Sequence, residues 1–175
     1  YIADKRRQLE DLNTGRTYEK YIKRMKNLKN INYGRTKFRG VNFVGFGGYM
    51  DIDSFFDKKE WKLQSKEYIR ARLNRRSKCR KILFNNLNKA GGEKILLLHY
   101  TPKGAFDIIH NKGNPLNGKS AGVSIFNEAI NRFKPKLVLC GHMHEYQGKK
   151  MLGKSLVINP GDAERGRFAI IDSES

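Results

Sequence analysis

At 175 residues, with 38% hydrophobic and 11% aromatic content, the chain is long enough for one domain with a real core and too apolar for a disordered tail. No run approaches the roughly 18 apolar residues of a membrane span, the first residues do not open a secretory signal, and two cysteines make no disulfide framework, so a cytoplasmic, reducing setting is expected. The net charge of +19 sits in two places: residues 1–40 hold 12 Lys and Arg against 4 Asp and Glu, and residues 58–89 hold 12 against 2. Such a field attracts nucleic acid or an acidic partner surface; it is also what a solvated face of a lysine-rich protein looks like.

Residues 1 to about 29 read as helix, because Ile2, Leu9, Leu12, Tyr18, Ile22, Met25 and Leu28 give a thin stripe of helical period among charges, with a break at Asn13-Thr14-Gly15. Tyr33 to Phe38 is a short hairpin arm, and residues 1–40 form a basic N-terminal segment. Val41 to Phe46 is a strand, and Gly47-Gly48 allows either a plain turn or close backbone approach. Asp51, Asp53 and Asp57 follow on a loop, with a spacing that fits helix capping better than cation binding. A long helix is expected from Lys58 to Asn88, and its middle, Arg70 to Lys81, is the densest basic run of the chain.

Gly91-Gly92 ends that helix, and Lys94 to Leu98 is an apolar strand that runs into His99 and stops at Pro102. The loop after it, through Gly104, His110, Gly113, Pro115 and Gly118, has the composition of a lid or substrate loop, with His110 as a surface residue. An amphipathic helix is expected over Ser120 to Phe133, ended by Pro135. Leu137 to Cys140 is a second apolar strand, where Cys140 packs as a small apolar residue, and it is followed at once by Gly141-His142-Met143-His144. If the backbone stays extended there, His142 and His144 project to one side and can serve one metal or two adjacent ones; taken alone, two such histidines read equally well as polar loop residues. From Met151 to Ile171 two strands are expected around Asn159-Pro160-Gly161.

These strand ends resemble the calcineurin-like metallophosphoesterases. His99-Tyr100-Thr101-Pro102 is similar to the family's fourth motif, Gly141-His142-Met143-His144 to its fifth, and Asn159-Pro160-Gly161 to the turn that follows. Val44-Gly45-Phe46-Gly47-Gly48 is similar to a turn of a small prokaryotic and archaeal branch, and Gly118-Lys119-Ser120-Ala121-Gly122 to its substrate-side loop. The resemblance implies an α/β fold, with residues 41–175 as the C-terminal half of a sandwich of two mixed β-sheets flanked by helices. It implies hydrolysis of phosphomonoesters or phosphodiesters at a site of two divalent ions, Mn, Fe or Zn, with His99 and His142 ligating one and His144 the other.

The chain departs from the family in lacking the Asp-x-His, Gly-Asp-x-x-Asp and Gly-Asn-His-Asp motifs, so the resemblance assigns no catalytic acid and no bridging carboxylate here. Asp51-Ile52-Asp53 and Gly161-Asp162 are out of order to replace them, and Tyr1 is not an initiator methionine. The expected partner is therefore an N-terminal half, on the same polypeptide or a separate chain. The rival reading is a catalytically incomplete module of this shape that binds RNA or DNA through residues 1–40 and 58–89 and has no membrane role.

Overall fold

The computed structural model describes residues 24–48 and 58–172 and divides the chain into two units, 1–31 and 32–175. Of the first unit, the described part is the end of a helix at Arg24 and a turn in which the Leu28 N–H donates to the Met25 carbonyl (3.3 Å). The helix expected over 1–29 therefore stops at Arg24, with 25–29 in and after the turn; residues 1–23, and the loop with Asp51, Asp53 and Asp57, lie outside the described residues.

The second unit is one mixed six-stranded sheet: β1 (Gly34–Phe38), β2 (Val41–Phe46), β3 (Lys94–Leu98), β4 (Leu137–Leu139), β5 (Gly148–Leu152) and β6 (Ser155–Asn159), in the order β1-β2-β3-β4-β6-β5. The four central strands are parallel, and antiparallel hairpins close both edges. β1 lies within the basic segment 1–40, yet it pairs with β2 along its full length through an Arg39-Gly40 turn whose residues both have positive φ (46° and 83°), the backbone a tight hairpin needs.

Among the described residues, three helices connect the parallel strands. α1 (Lys58–Lys62) and α2 (Lys66–Lys89) lie between β2 and β3, and α3 (Ser124–Phe133) lies between β3 and β4. The strand order advances one way from β2 to β4, so right-handed crossovers place all these helices on the same face. There Val44, Phe46, Leu96, Val138 and Val157 are buried against Leu83 and Leu87 of α2 and Ile125, Phe126, Ala129 and Ile130 of α3. Residues that alternate with these point to the second face: Phe43, Ile95, Leu97, Leu139, Leu156 and Ile158 form neighbouring pairs across the strands and are only half-buried.

Three expected boundaries shift, each for a local reason. The single helix expected over 58–88 is broken, because the Ser65 hydroxyl accepts from the Tyr68 N–H (3.1 Å) and starts α2 afresh. The helix expected from Ser120 begins at Ser124, because the backbone before it is extended: the Ala121 N–H donates to the Asp107 carbonyl (2.6 Å) and the Val123 N–H to the Thr101 carbonyl (3.0 Å). The two strands placed around Asn-Pro-Gly instead form a hairpin before it, turning at Gly153 (φ 59°), and no strand follows Asn159 among the described residues.

Candidate metal centre

His99 and Gly141-His142-Met143-His144 follow the carboxyl ends of adjacent parallel strands, the rim where open α/β sheets place their ligands. The backbone after β4 does not stay extended. The Met143 N–H donates to the Gly141 carbonyl (2.8 Å) around His142, whose φ is 69°. This is a γ-turn of positive φ, a rare and strained conformation for a residue with a side chain. The turn falls on the histidine, not on the glycine that the sequence offers for it. Met143 is buried, so it anchors the loop in the protein while the imidazoles on either side stay accessible.

The turn separates the two histidines of the motif. His142 swings to His99, bringing its Nδ1 within 3.2 Å of His99 Nε2. Tyr100 wedges edge-on against both rings, with centroids 4.7 Å from His99 and 4.5 Å from His142. His144 goes the other way, its Nδ1 3.9 Å from Asp162 Oδ2, with 69% of its side chain exposed. Burial lowers the pKa of His99, and the His144 charge lowers it further. Burial likewise lowers His142, with His99 and His144 adding to the effect and Glu145 opposing it. Both imidazoles therefore keep a lone pair available at neutral pH.

Asn159 explains the Asn-Pro-Gly motif. Fully buried, it donates from Nδ2 to the Met143 carbonyl (3.2 Å) and accepts the Gly161 N–H on Oδ1 (3.0 Å), so one amide ties the turn after β6 to the histidine loop. Asp162 was set aside as out of order in sequence, but it lies beside His144. It also caps the 3₁₀ turn Ala163–Arg165 through the Glu164 N–H (3.1 Å) and pairs with Arg165 Nε (3.4 Å). The sequence signal was an acidic residue directly after the turn. Cys140 is no ligand: burial pushes its thiol up to about 12, and Sγ faces the Ile158 carbonyl (3.6 Å). Gly47 and Gly48 serve close approach, though not to the site: a Cβ on Gly47 would meet the Asn32 amide (2.9 Å), and one on Gly48 the Tyr33 hydroxyl.

The His99–His142 pair suits a divalent ion in spacing as well as charge state. At metal–nitrogen bonds of about 2.0–2.1 Å, two nitrogens on one ion stand about 3.0 Å apart at an octahedral angle and about 3.4 Å apart at a tetrahedral one, which brackets the observed separation. Two donors fall short of a full shell, and among the described residues there is no group of three or more His, Cys, Asp or Glu that could hold a metal ion.

Beside the histidines opens a cleft of about 660 Å³, walled by the loop through Ile109, Lys112 and Leu116 on one side and by His142, His144 and Arg165 on the other. His110, exposed as expected, lines it and packs its ring on Tyr146 (centroids 5.6 Å). The loop is tied at its base: the Ile109 N–H donates to the Lys119 carbonyl (2.9 Å), the Gly118 N–H to the Ile109 carbonyl (2.8 Å), and the Tyr146 hydroxyl to the Ile108 carbonyl (2.8 Å).

A mixed α/β sheet whose four central parallel strands bring two histidine-bearing loops to their carboxyl rim has its candidate ligand site at that rim. The profile of metallophosphoesterases of the calcineurin superfamily matches residues 16–175, and the chain belongs to that superfamily. One solved crystal structure aligns with a TM-score of 0.52 at 22% identity, covering 81% of this chain and 49% of its own, and shares the fold. A crystal structure from Thermus thermophilus is 26% identical, with a TM-score of 0.43, covering 81% of this chain and 53% of that one. The chain thus spans about half the length of these two solved structures. No curated protein matches it. No helix among the described residues is long and apolar enough to cross a membrane.

Proposed function

We propose that this chain supplies the imidazole side of a two-metal phosphoesterase site, for phosphomonoesters or phosphodiesters: His99 and His142 hold one divalent ion, and His144, steadied by Asp162, holds the second. The observation that carries the reading is the 3.2 Å approach of His99 Nε2 and His142 Nδ1 at the ends of adjacent strands. When bound, such ions polarise phosphoryl oxygens and lower the pKa of a water. Imidazoles bring no negative charge to offset two dications, so the carboxylates come from a second segment, the partner half, and the sheet face opposite α2 and α3 is its seat. Mn is the first ion to test, with Fe and Zn next. The unpaired thiols of Cys79 and Cys140 suit a reducing cytoplasm. Metal analysis after dialysis against Mn or Zn tests the assignment. The wild-type protein is expected to retain metal and the His142→Ala/His144→Ala double variant to lose it; equal content in the two overturns it.

A second reading, a module that binds RNA or DNA without turnover, draws on α2. Its buried residues, Leu83, Phe84 and Leu87, all lie in its last two turns, while Arg70, Lys78 and Lys81 stand exposed along the rest. Glu128 of α3 engages Arg76 (2.5 Å) and Arg80 (2.7 Å), so those two guanidiniums serve the α2–α3 contact. The other basic segment, 1–40, is described only from residue 24 onward.

A further inference from the structure

We propose that the cleft beside the histidines holds a second anionic group, and that the substrate is a small phosphoester bearing one, with nucleoside diphosphates the simplest members; this names the substrate of the phosphoesterase reading above and rests on it. The volume, about 660 Å³, is that of a small-molecule site and far exceeds what a phosphoryl group alone would fill. Two full cations face into it, Lys112 from the loop and Arg165 from the 3₁₀ turn. The one carboxylate in the lining, Glu145, already accepts the His110 N–H (3.4 Å). Arg165 touches Asp162 through Nε alone, with 67% of its side chain exposed, and a guanidinium has further N–H donors to offer an anion.

Arg165 Nε and His144 Nδ1 approach the same Asp162 oxygen (3.4 and 3.9 Å), so the Arg165 cation stands beside the histidines, and the rest of the lining mixes apolar Ile109, Leu116 and Met143 with the Asn111 and Asn114 amides. That arrangement fits a ligand with a phosphoryl at the histidines, a second anionic group directly linked to it that reaches Arg165 and Lys112, and a flat or apolar body against Ile109 and Leu116. The loop's geometry is set in advance: besides the ties at its base, the Asn111 N–H donates to Asn117 Oδ1 (2.9 Å) and the Asn114 N–H to the Asn111 carbonyl (2.9 Å). Little ordering is then left for the ligand to impose.

Anisotropy of a fluorescent adenosine diphosphate analogue on the 175-residue protein, competed with adenosine diphosphate, adenosine monophosphate and adenosine, tests the proposal. The diphosphate is expected to compete best and adenosine worst, and Lys112→Ala/Arg165→Ala to weaken the diphosphate at least tenfold while leaving adenosine unchanged. Because any +19 protein attracts anions, the charge-matched control is Arg70→Gln/Lys81→Gln on α2, expected to shift affinity less than twofold. Equal losses in the two double variants, or equal competition by the three ligands, overturn the subsite. Metal content is measured separately, without nucleotide. A His142→Ala/His144→Ala protein that keeps its metal while Lys112→Ala/Arg165→Ala loses the diphosphate sinks the metal assignment and leaves the subsite; the converse sinks the subsite alone.

Discussion

His142 occupies a backbone conformation that its own Cβ disfavours (φ 69°), and nothing in the strand before it requires a side chain there, since Gly141 is adjacent and has an ordinary φ. Strain of this kind, on the order of 1–3 kcal/mol, persists where the surroundings hold it and collects at functional sites. Here the buried Met143, the Asn159 amide and the His99 ring do the holding. The strain gives a prediction that separates stability from function. In the metal-free protein, His142→Gly is expected to be more stable than His142→Ala by about 1 kcal/mol, the reverse of the usual order, because only glycine adopts this φ freely. Both variants are expected to lose metal. Urea unfolding of the two proteins provides the check, and an Ala variant at least as stable as the Gly variant would show that the turn is not strained. The histidines and the Asn-Pro-Gly turn were legible in the sequence, because short apolar runs ending in His or Asn mark strand ends. The direction of each ring was not, because it depends on one φ angle and on partners 43 and 16 residues away.

The helices show the same division between pattern and context. The apolar stripe located α2 and α3 correctly in the chain, but it cannot report a break that keeps the stripe in phase. Leu63 is 83% exposed and neither Gly nor Pro stands between α1 and α2, so the one local signal of the new start is Ser65, three residues before Tyr68. The start of α3 was missed because Ser120 is bound by the Asp107 carboxylate and the following residues bridge to other segments, a tertiary effect that no periodicity records. Charge on α2 was legible as composition, while its use divides by partner: Glu128 takes Arg76 and Arg80, and Arg80 also stacks on Phe84 (4.1 Å). If the nucleic-acid reading holds, the outward cations carry it. Binding of single-stranded RNA is then expected to fall with salt at a log–log slope of about −0.7 per phosphate contact. Arg70→Gln/Lys78→Gln/Lys81→Gln is expected to flatten that slope by roughly two to three contacts' worth. A slope unchanged in the triple variant leaves α2 as a solvated helix.

For the whole molecule, what the sheet leaves uncovered matters as much as what it buries. Crossovers that all advance one way cover one face with α2 and α3 and leave the alternating residues of the central strands, Phe43, Ile95, Leu97, Leu139, Leu156 and Ile158, partly exposed. Met151, which pairs with Leu156, extends the strip to the edge at 55% exposure. Covering the exposed part of each is worth on the order of 1 kcal/mol per residue. A second sheet with an apolar face satisfies that demand and can bring carboxylates to the same rim as the histidines. The solved structure that shares this fold contains about as much polypeptide again. Three consequences are expected together. The 175-residue chain with Mn does not hydrolyse an aryl phosphodiester. A longer polypeptide, or an added segment with the family's missing motifs, does. Ile95→Asp/Leu156→Asp, placed in the row away from the histidines, abolishes that gain while the variant chain keeps its metal content and helical circular dichroism. Loss of acid–base assistance alone is worth about 10² to 10⁴ in rate, so the contrast is readily measured. Turnover by the 175-residue chain alone, abolished by His142→Ala, would sink the shared site, because the carboxylates would then have to come from within the chain. Asp162, already beside His144, would be the first to replace, and Asp51 and Asp53 the next.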